Sequence, residues 1–266
     1  MAIPIETVPG AAFRMRFFRF GKPGARPLVV LPGLSVKSVM DSADAVAAAF
    51  QLFAEAFEVF VFDRREDLPE AYSISGMAGD TAAALELLGI RGAAVMGVSQ
   101  GGMIAMELAL QRPELVGALV LGSTSAALDE NSARVLKHWI ALAGAGDAAA
   151  LMRAFAETIY TDAFYTRYKT AFERLAQAVT PEELSRFVRL AEGTFGFDAA
   201  KRLSAVRCPA LVLGAREDRV FGAEPSEALA ALLHAQLFLY EGYGHAVYDE
   251  APDYRARVLA FLRTTA

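Results

Sequence analysis

The chain has 266 residues, 55% of them hydrophobic, and a formal net charge of −5. A chain this long and apolar buries a large core as one globular unit with room for an insertion, while its acidic balance and lack of a Lys/Arg cluster exclude nucleic acid as an expected partner. Its one cysteine, Cys208, excludes an internal disulfide framework and fits a reducing compartment; next to Pro209 it reads as a small buried hydrophobe.

The opening stretch, MAIPIETVPGAAFRMRFFRFG, lacks a basic segment followed by a continuous apolar one. No apolar run approaches the roughly 18 residues that a spanning helix needs. The expectation is a cytoplasmic protein with no membrane partner. FRMRFFRF (13–20) alternates at period two, as a half-buried strand does. PLVVLPG (27–33) is an apolar run ending in Pro-Gly, a buried strand that leads into a loop. Residues 38–57 carry Val39, Val46, Phe50, Phe53 and Phe57 at near-helical spacing, which predicts a helix. A strand over FEVFVFD (57–63), a helix near 76–88 and a strand over AAVMGV (93–98) follow. Next come a helix over 102–111 and the strand GALVLGS (117–123). Strands alternating with helices of this length predict right-handed crossovers and a mostly parallel, twisted sheet with helices on both faces.

The rhythm breaks over 126–200, which is helix-like and rich in Ala and aromatics; ALAGAGDAAA (141–150) predicts a turn within it. The strand pattern resumes at PALVLGARED (209–218) and AQLFLYEGYGH (235–245), before a final helix over about 250–263. The expected organisation is a core of 1–125 and 201–266 with a helical cap inserted at 126–200. Cap aromatics such as Trp139, Phe155, Tyr160 and Phe172 are expected to pack the cap itself, with some turned toward the core.

The six residues GVSQGG (97–102) lie between a strand and a helix. Their glycines are misplaced for a dinucleotide fingerprint, and Met103 stands where a phosphate-binding loop needs lysine. They do fit G-x-S-x-G through Gly97, Ser99 and Gly101. There the serine sits on a sharp strand-to-helix turn, and the glycines let helix and strand approach. A serine hydroxyl needs a base, and the base needs an acid to hold it. Of the three histidines, His138 lies in the insertion and His234 ends a helix. His245 follows the last strand on a loop, at the carboxyl edge that Ser99 also occupies. Asp218, after ALVLGARE, is favoured as the acid over its neighbour Glu217, and Asp63 reads as a loop-fixing residue. The backbone N–H groups of Gln100 and Leu34 are the expected oxyanion donors, Leu34 because the LPGLS loop turns after Gly33.

These pieces resemble the α/β-hydrolase superfamily over nearly the whole chain. The carrying segments are LPGLS, DRRE, GVSQGGMIAMELALQRPELV, CPALVLGARED and YGHAVYDEAP, and the order Ser99, Asp218, His245 is that of the superfamily. The resemblance implies an α/β-hydrolase fold and activities that include esterases, enol-lactonase-like lactonases, perhydrolases and carbon–carbon bond hydrolases. Many members carry His-Gly where this chain has Pro32-Gly33, and D-x-R-G-x-G where it has DRRED (63–67), so those loops are expected to be shaped differently. The leading expectation is a serine hydrolase of small or medium esters or lactones, acting on an apolar acyl or aryl substrate without metal or organic cofactor. A carbon–carbon hydrolase or lyase with the same residues is the alternative, and a non-catalytic binder is a third.

Overall fold

Alternate residues of each apolar run go to opposite faces of one sheet, and both faces are covered. The computed structural model describes residues 2–10 and 13–265. Its strands are β1 (Ile5–Pro9), β2 (Arg14–Gly21), β3 (Arg26–Leu31), β4 (Phe57–Arg65), β5 (Ala93–Val98), β6 (Val116–Gly122), β7 (Ala210–Ala215) and β8 (Gln236–Tyr240). They form an eight-stranded sheet in the order β1-β2-β4-β3-β5-β6-β7-β8, in which β2 runs antiparallel to its neighbours and β3 to β8 are parallel.

Val29, Leu31, Val95, Leu119, Leu121 and Val212 pack into one core. It also holds α2 (Ile74–Leu87), α3 (Gln100–Gln111) and α8 (Glu224–Leu233). Leu28, Val30, Ala94, Met96, Val120 and Leu213 pack into the other, with α1 (Ala43–Ala49) and α10 (Tyr254–Arg263). A strand buried on both faces has no polar side to alternate with, which is why these segments are continuous hydrophobic runs. Between β6 and β7 the chain forms α4 (Glu130–Gly144), α5 (Ala148–Ile159), α6 (Asp162–Gln177) and α7 (Pro181–Glu192). Each begins at a side-chain cap: Asp129, Asp147, Thr161 and Thr180 accept from backbone N–H groups of the first turn. The α4–α5 turn falls at 145–147, inside the expected stretch.

The structure corrects two expectations and adds one strand. Residues 38–57 do not form one helix. They divide into a 3-10 turn at Val39–Ser42, α1, and a second 3-10 turn at Gln51–Phe53, and Phe57 already belongs to β4. The apolar spacing reflects packing on the second core, where the tilted rings of Phe50 and Phe53 lie 5.5 Å apart and the Arg255 guanidinium covers Phe50. The tight turns are what bring the chain back to β4. Strand β1 leaves little mark in the sequence, because IETVP has little periodicity and gains its place only by pairing with β2. Cys208 is half-buried rather than buried, and burial raises its thiol pKa.

Candidate active site

Ser99 sits between β5 and α3 with φ 52° and ψ −125°, in a region that L-residues other than glycine avoid. Such a conformation costs about 1–3 kcal/mol and persists only where its surroundings impose it. Here the Ser99 N–H donates to Gly122 O at 2.9 Å, and the Ser99 carbonyl accepts from Thr124 Oγ1 at 2.7 Å and from Gly102 N–H at 2.9 Å. Thr124 was not foreseen. Nothing in the sequence marks it, because its role follows from the parallel pairing of β5 with β6.

The glycines around Ser99 are there for contact between backbones. A Cβ on Gly97 would lie 2.3 Å from Gly101 O, and one on Gly101 would lie 2.0 Å from Leu31 O. Helix α3 thus starts in direct contact with the β3 and β5 backbones. Neither obstacle is a side chain that can swing aside. Gly101→Ala is expected to destabilise the fold by at least about 3 kcal/mol, the upper range for overpacking. Thermal unfolding of the purified variant checks this, and an unchanged melting temperature would contradict the packing account.

His245 lies in the segment between β8 and α9 (Val247–Glu250), and Asp218 in the loop after β7. His245 Nδ1 is 2.9 Å from Asp218 Oδ2, with both side chains at most 4% exposed. The other carboxylate oxygen, Oδ1, accepts from Val220 N–H at 2.7 Å and Phe221 N–H at 3.1 Å. An ionised carboxylate only accepts, so the hydrogen sits on Nδ1 and the lone pair on Nε2. Glu217 is exposed and accepts from Gly242 N–H at 2.9 Å; it braces the loop that carries His245 and does not touch the imidazole. His138 is exposed, and His234 is the left-handed cap of α8 with φ 50°.

The loop after β3 is held from below. Arg64 is buried, and its Nη2 donates to Pro32 O at 2.7 Å and to Gln100 Oε1 at 3.0 Å. Burial lowers the Arg64 pKa, partly opposed by Asp63. The Gln100 amide donates in turn to Leu190 O and Thr194 Oγ1, at 2.7 and 2.8 Å. The Gln100 side chain therefore points into the protein, and its backbone N–H, at the first helical position, has no acceptor within α3. Gly33 comes close enough that a Cβ there would lie 3.1 Å from Ser99 Cβ. The DRRED segment extends β4 to Arg65 and is tied to α7 by Arg186, which donates to Arg65 O at 2.8 Å and Arg64 O at 3.0 Å. Asp63 accepts from Ser38 Oγ at 2.5 Å and from Arg64 N–H at 2.7 Å. That is a loop-fixing role.

Ser99 and His245 stand on the wall of one cavity of about 30 Å³, together with Leu34 and Gln100. Trp139 and Phe155, with rings 4.6 Å apart, and Val220 and Phe221 complete its apolar side. Helices α4 and α5 thus bring aromatic residues to the edge that carries Ser99. Phe187 packs edge-on against Phe155 at 6.1 Å instead of reaching the cavity.

Comparison with known proteins gives the same architecture. The profile of the Alpha/beta hydrolase family matches residues 28–258. The protein named "Putative carbamate hydrolase RutD" of Rhizobium rhizogenes is 29% identical over 253 residues, 91% of this chain and 94% of that protein. Among solved structures, an alpha/beta hydrolase enzyme from a Medee basin deep-sea metagenome library superposes with a TM-score of 0.87 at 23% identity, covering 97% of both chains. The enol-lactonase from Burkholderia xenovorans gives a TM-score of 0.85 at 18% identity, covering 97% of this chain and 100% of its own.

Proposed function

From the premise that this chain belongs to the alpha/beta hydrolase family, we infer that it is a serine hydrolase of small or medium carboxylic esters or lactones. The observation that carries the reading is the buried His245–Asp218 pair, whose histidine lines the same cavity as a serine in a strained turn. In this reading Ser99 Oγ attacks the carbonyl carbon while His245 Nε2 takes its proton. The backbone N–H groups of Leu34 and Gln100 receive the developing oxyanion. Collapse breaks the bond to the leaving oxygen, which takes the proton from His245. Water, deprotonated by the same imidazole, then attacks the acyl-Ser99 ester and releases the acid. Asp218 holds the Nδ1–H tautomer and balances the imidazolium charge.

The cavity favours an apolar group beside the carbonyl, because none of its lining residues is Lys, Arg, Asp or Glu. Its walls are buried or half-buried and mostly apolar, which limits the entry of water. kcat/KM is therefore expected to peak with short or medium acyl esters and to fall for long-chain triglycerides. An acyl-length series run below and above the micellar limit checks this; preference for emulsified long-chain substrate would make the protein a lipase. The name of the RutD relative favours carbamates as a second reading, since the same attack on a carbonyl cleaves them. Adding a carbamate to the series separates the two: carbamate turnover well above that of the matching ester would displace the ester reading.

A further inference from the structure

Next to the small cavity lies a groove of about 380 Å³, between the loop after β3 and helices α5 and α6. The two share the walls Leu34, Phe155, Ile159 and Tyr248. Gly33 lines the groove and lies against Ser99, so the groove ends one residue away from the serine that lines the small cavity. Beyond Gly33 its sides are largely apolar, with Val46, Phe50, Met96, Met152 and Phe172, although Lys37, Asp249 and Arg255 also border it.

The two spaces differ in size and in access to solvent. No residue lining the small cavity is exposed. The groove, in contrast, reaches the surface at Ser35, Ser42 and Leu175, the last 43% exposed. At about 30 Å³ the cavity has less than a tenth of the groove's volume of about 380 Å³, which suits a short acyl chain and not a long one. The groove falls within the range of about 300–1,000 Å³ typical of small-ligand sites.

We propose that Ser99 divides its substrate unequally, taking an acetyl or propionyl group in the small cavity and a long apolar alcohol in the larger groove. This rests on the serine-hydrolase reading and names its substrate class. The assignment of the halves follows from the order of events. The alcohol leaves first, while the acyl group stays bonded to Ser99 Oγ until water attacks. The longer half, which leaves first, takes the space that reaches the surface, and the short acid follows through the adjoining groove once the alcohol has vacated it. The leaving oxygen is one bond from the carbonyl carbon in either orientation, so His245 reaches it from its place on the cavity wall.

Octyl acetate and ethyl octanoate are isomers with alcohols of similar acidity, which makes them a direct test. Octyl acetate is expected to have the higher kcat/KM by about 30-fold or more, within the range that a few methylenes in a pocket impose. Two variants move the preference in predictable ways. Leu175→Trp, which narrows the mouth of the groove, is expected to lower the ratio of octyl acetate to ethyl acetate turnover. Leu136→Ala, which enlarges the cavity, is expected to raise ethyl octanoate relative to octyl acetate. Each reading is a ratio within one protein sample, so partial loss of folded enzyme does not disguise it. Equal rates for the isomers, or preference for ethyl octanoate, overturn the division. Ser99 labelled by a fluorophosphonate while neither ester turns over also overturns it and leaves the serine-hydrolase reading standing. No labelling and no turnover removes both.

Discussion

Ser99→Ala is expected to abolish nearly all turnover, by about 10⁴–10⁶ in kcat, the loss seen when a nucleophile of this kind is removed. The fold should survive the change. The Oγ is a side-chain atom, whereas the bonds that hold the turn are made by the Ser99 N–H and carbonyl, to Gly122 and from Thr124 and Gly102. Alanine keeps both backbone groups and bears the same strained φ. The measurement is steady-state kinetics on purified variant, with circular dichroism and thermal unfolding to show native structure. Substantial activity in a well-folded variant would end the serine mechanism. Covalent labelling by a fluorophosphonate in wild type, lost in the variant, would support it independently of any substrate.

Asp218→Asn is expected to cost about 10⁴ in kcat, by analogy with the serine-protease aspartate. An amide in place of the carboxylate can present its NH₂ to the imidazole, favouring the tautomer whose Nε2 carries hydrogen and cannot accept from Ser99. It also removes the charge that balances the imidazolium. Glu217→Gln is the internal control. Its carboxylate accepts one bond from Gly242 N–H in an exposed loop, and a glutamine oxygen can accept the same bond. A loss of tenfold or less is expected there. Equal mild losses in both variants would move the acid role elsewhere. Asp63 would then be next to test, although its bonds to Ser38 and Arg64 already engage it.

The turn at Ser99 illustrates how a local pattern encodes a site. Gly97 and Gly101 are required because the β3, β5 and α3 backbones touch there, and a contact between backbones can be met by one residue type. A rule that strict leaves a mark in the sequence. The buried strands leave one too, since a segment covered on both faces can hold only apolar side chains. The packing of 38–57 was less legible. Its apolar spacing is common to a helix and to a chain of short turns folded onto a core, and only the second core decides between them.

The sequence alone determined the sheet's alternating strands and helices, the glycine-bounded serine, and a histidine and aspartate at strand ends, because each depends on neighbours within a few residues. It could not reveal Thr124, Arg64 or Arg186, whose partners lie across the sheet or on α7. Nor could it separate Asp218 from Glu217 by more than preference, since adjacent residues differ only in which way the loop turns them; in the structure one is buried on His245 and the other accepts from Gly242 in solvent. The sizes of the cavity and the groove were likewise decided only in three dimensions. Their walls come from the loop after β3, from α4, α5 and α6, and from the segment after His245. A volume enclosed by residues so far apart along the chain depends on how those elements pack, and no stretch of sequence carries that information by itself.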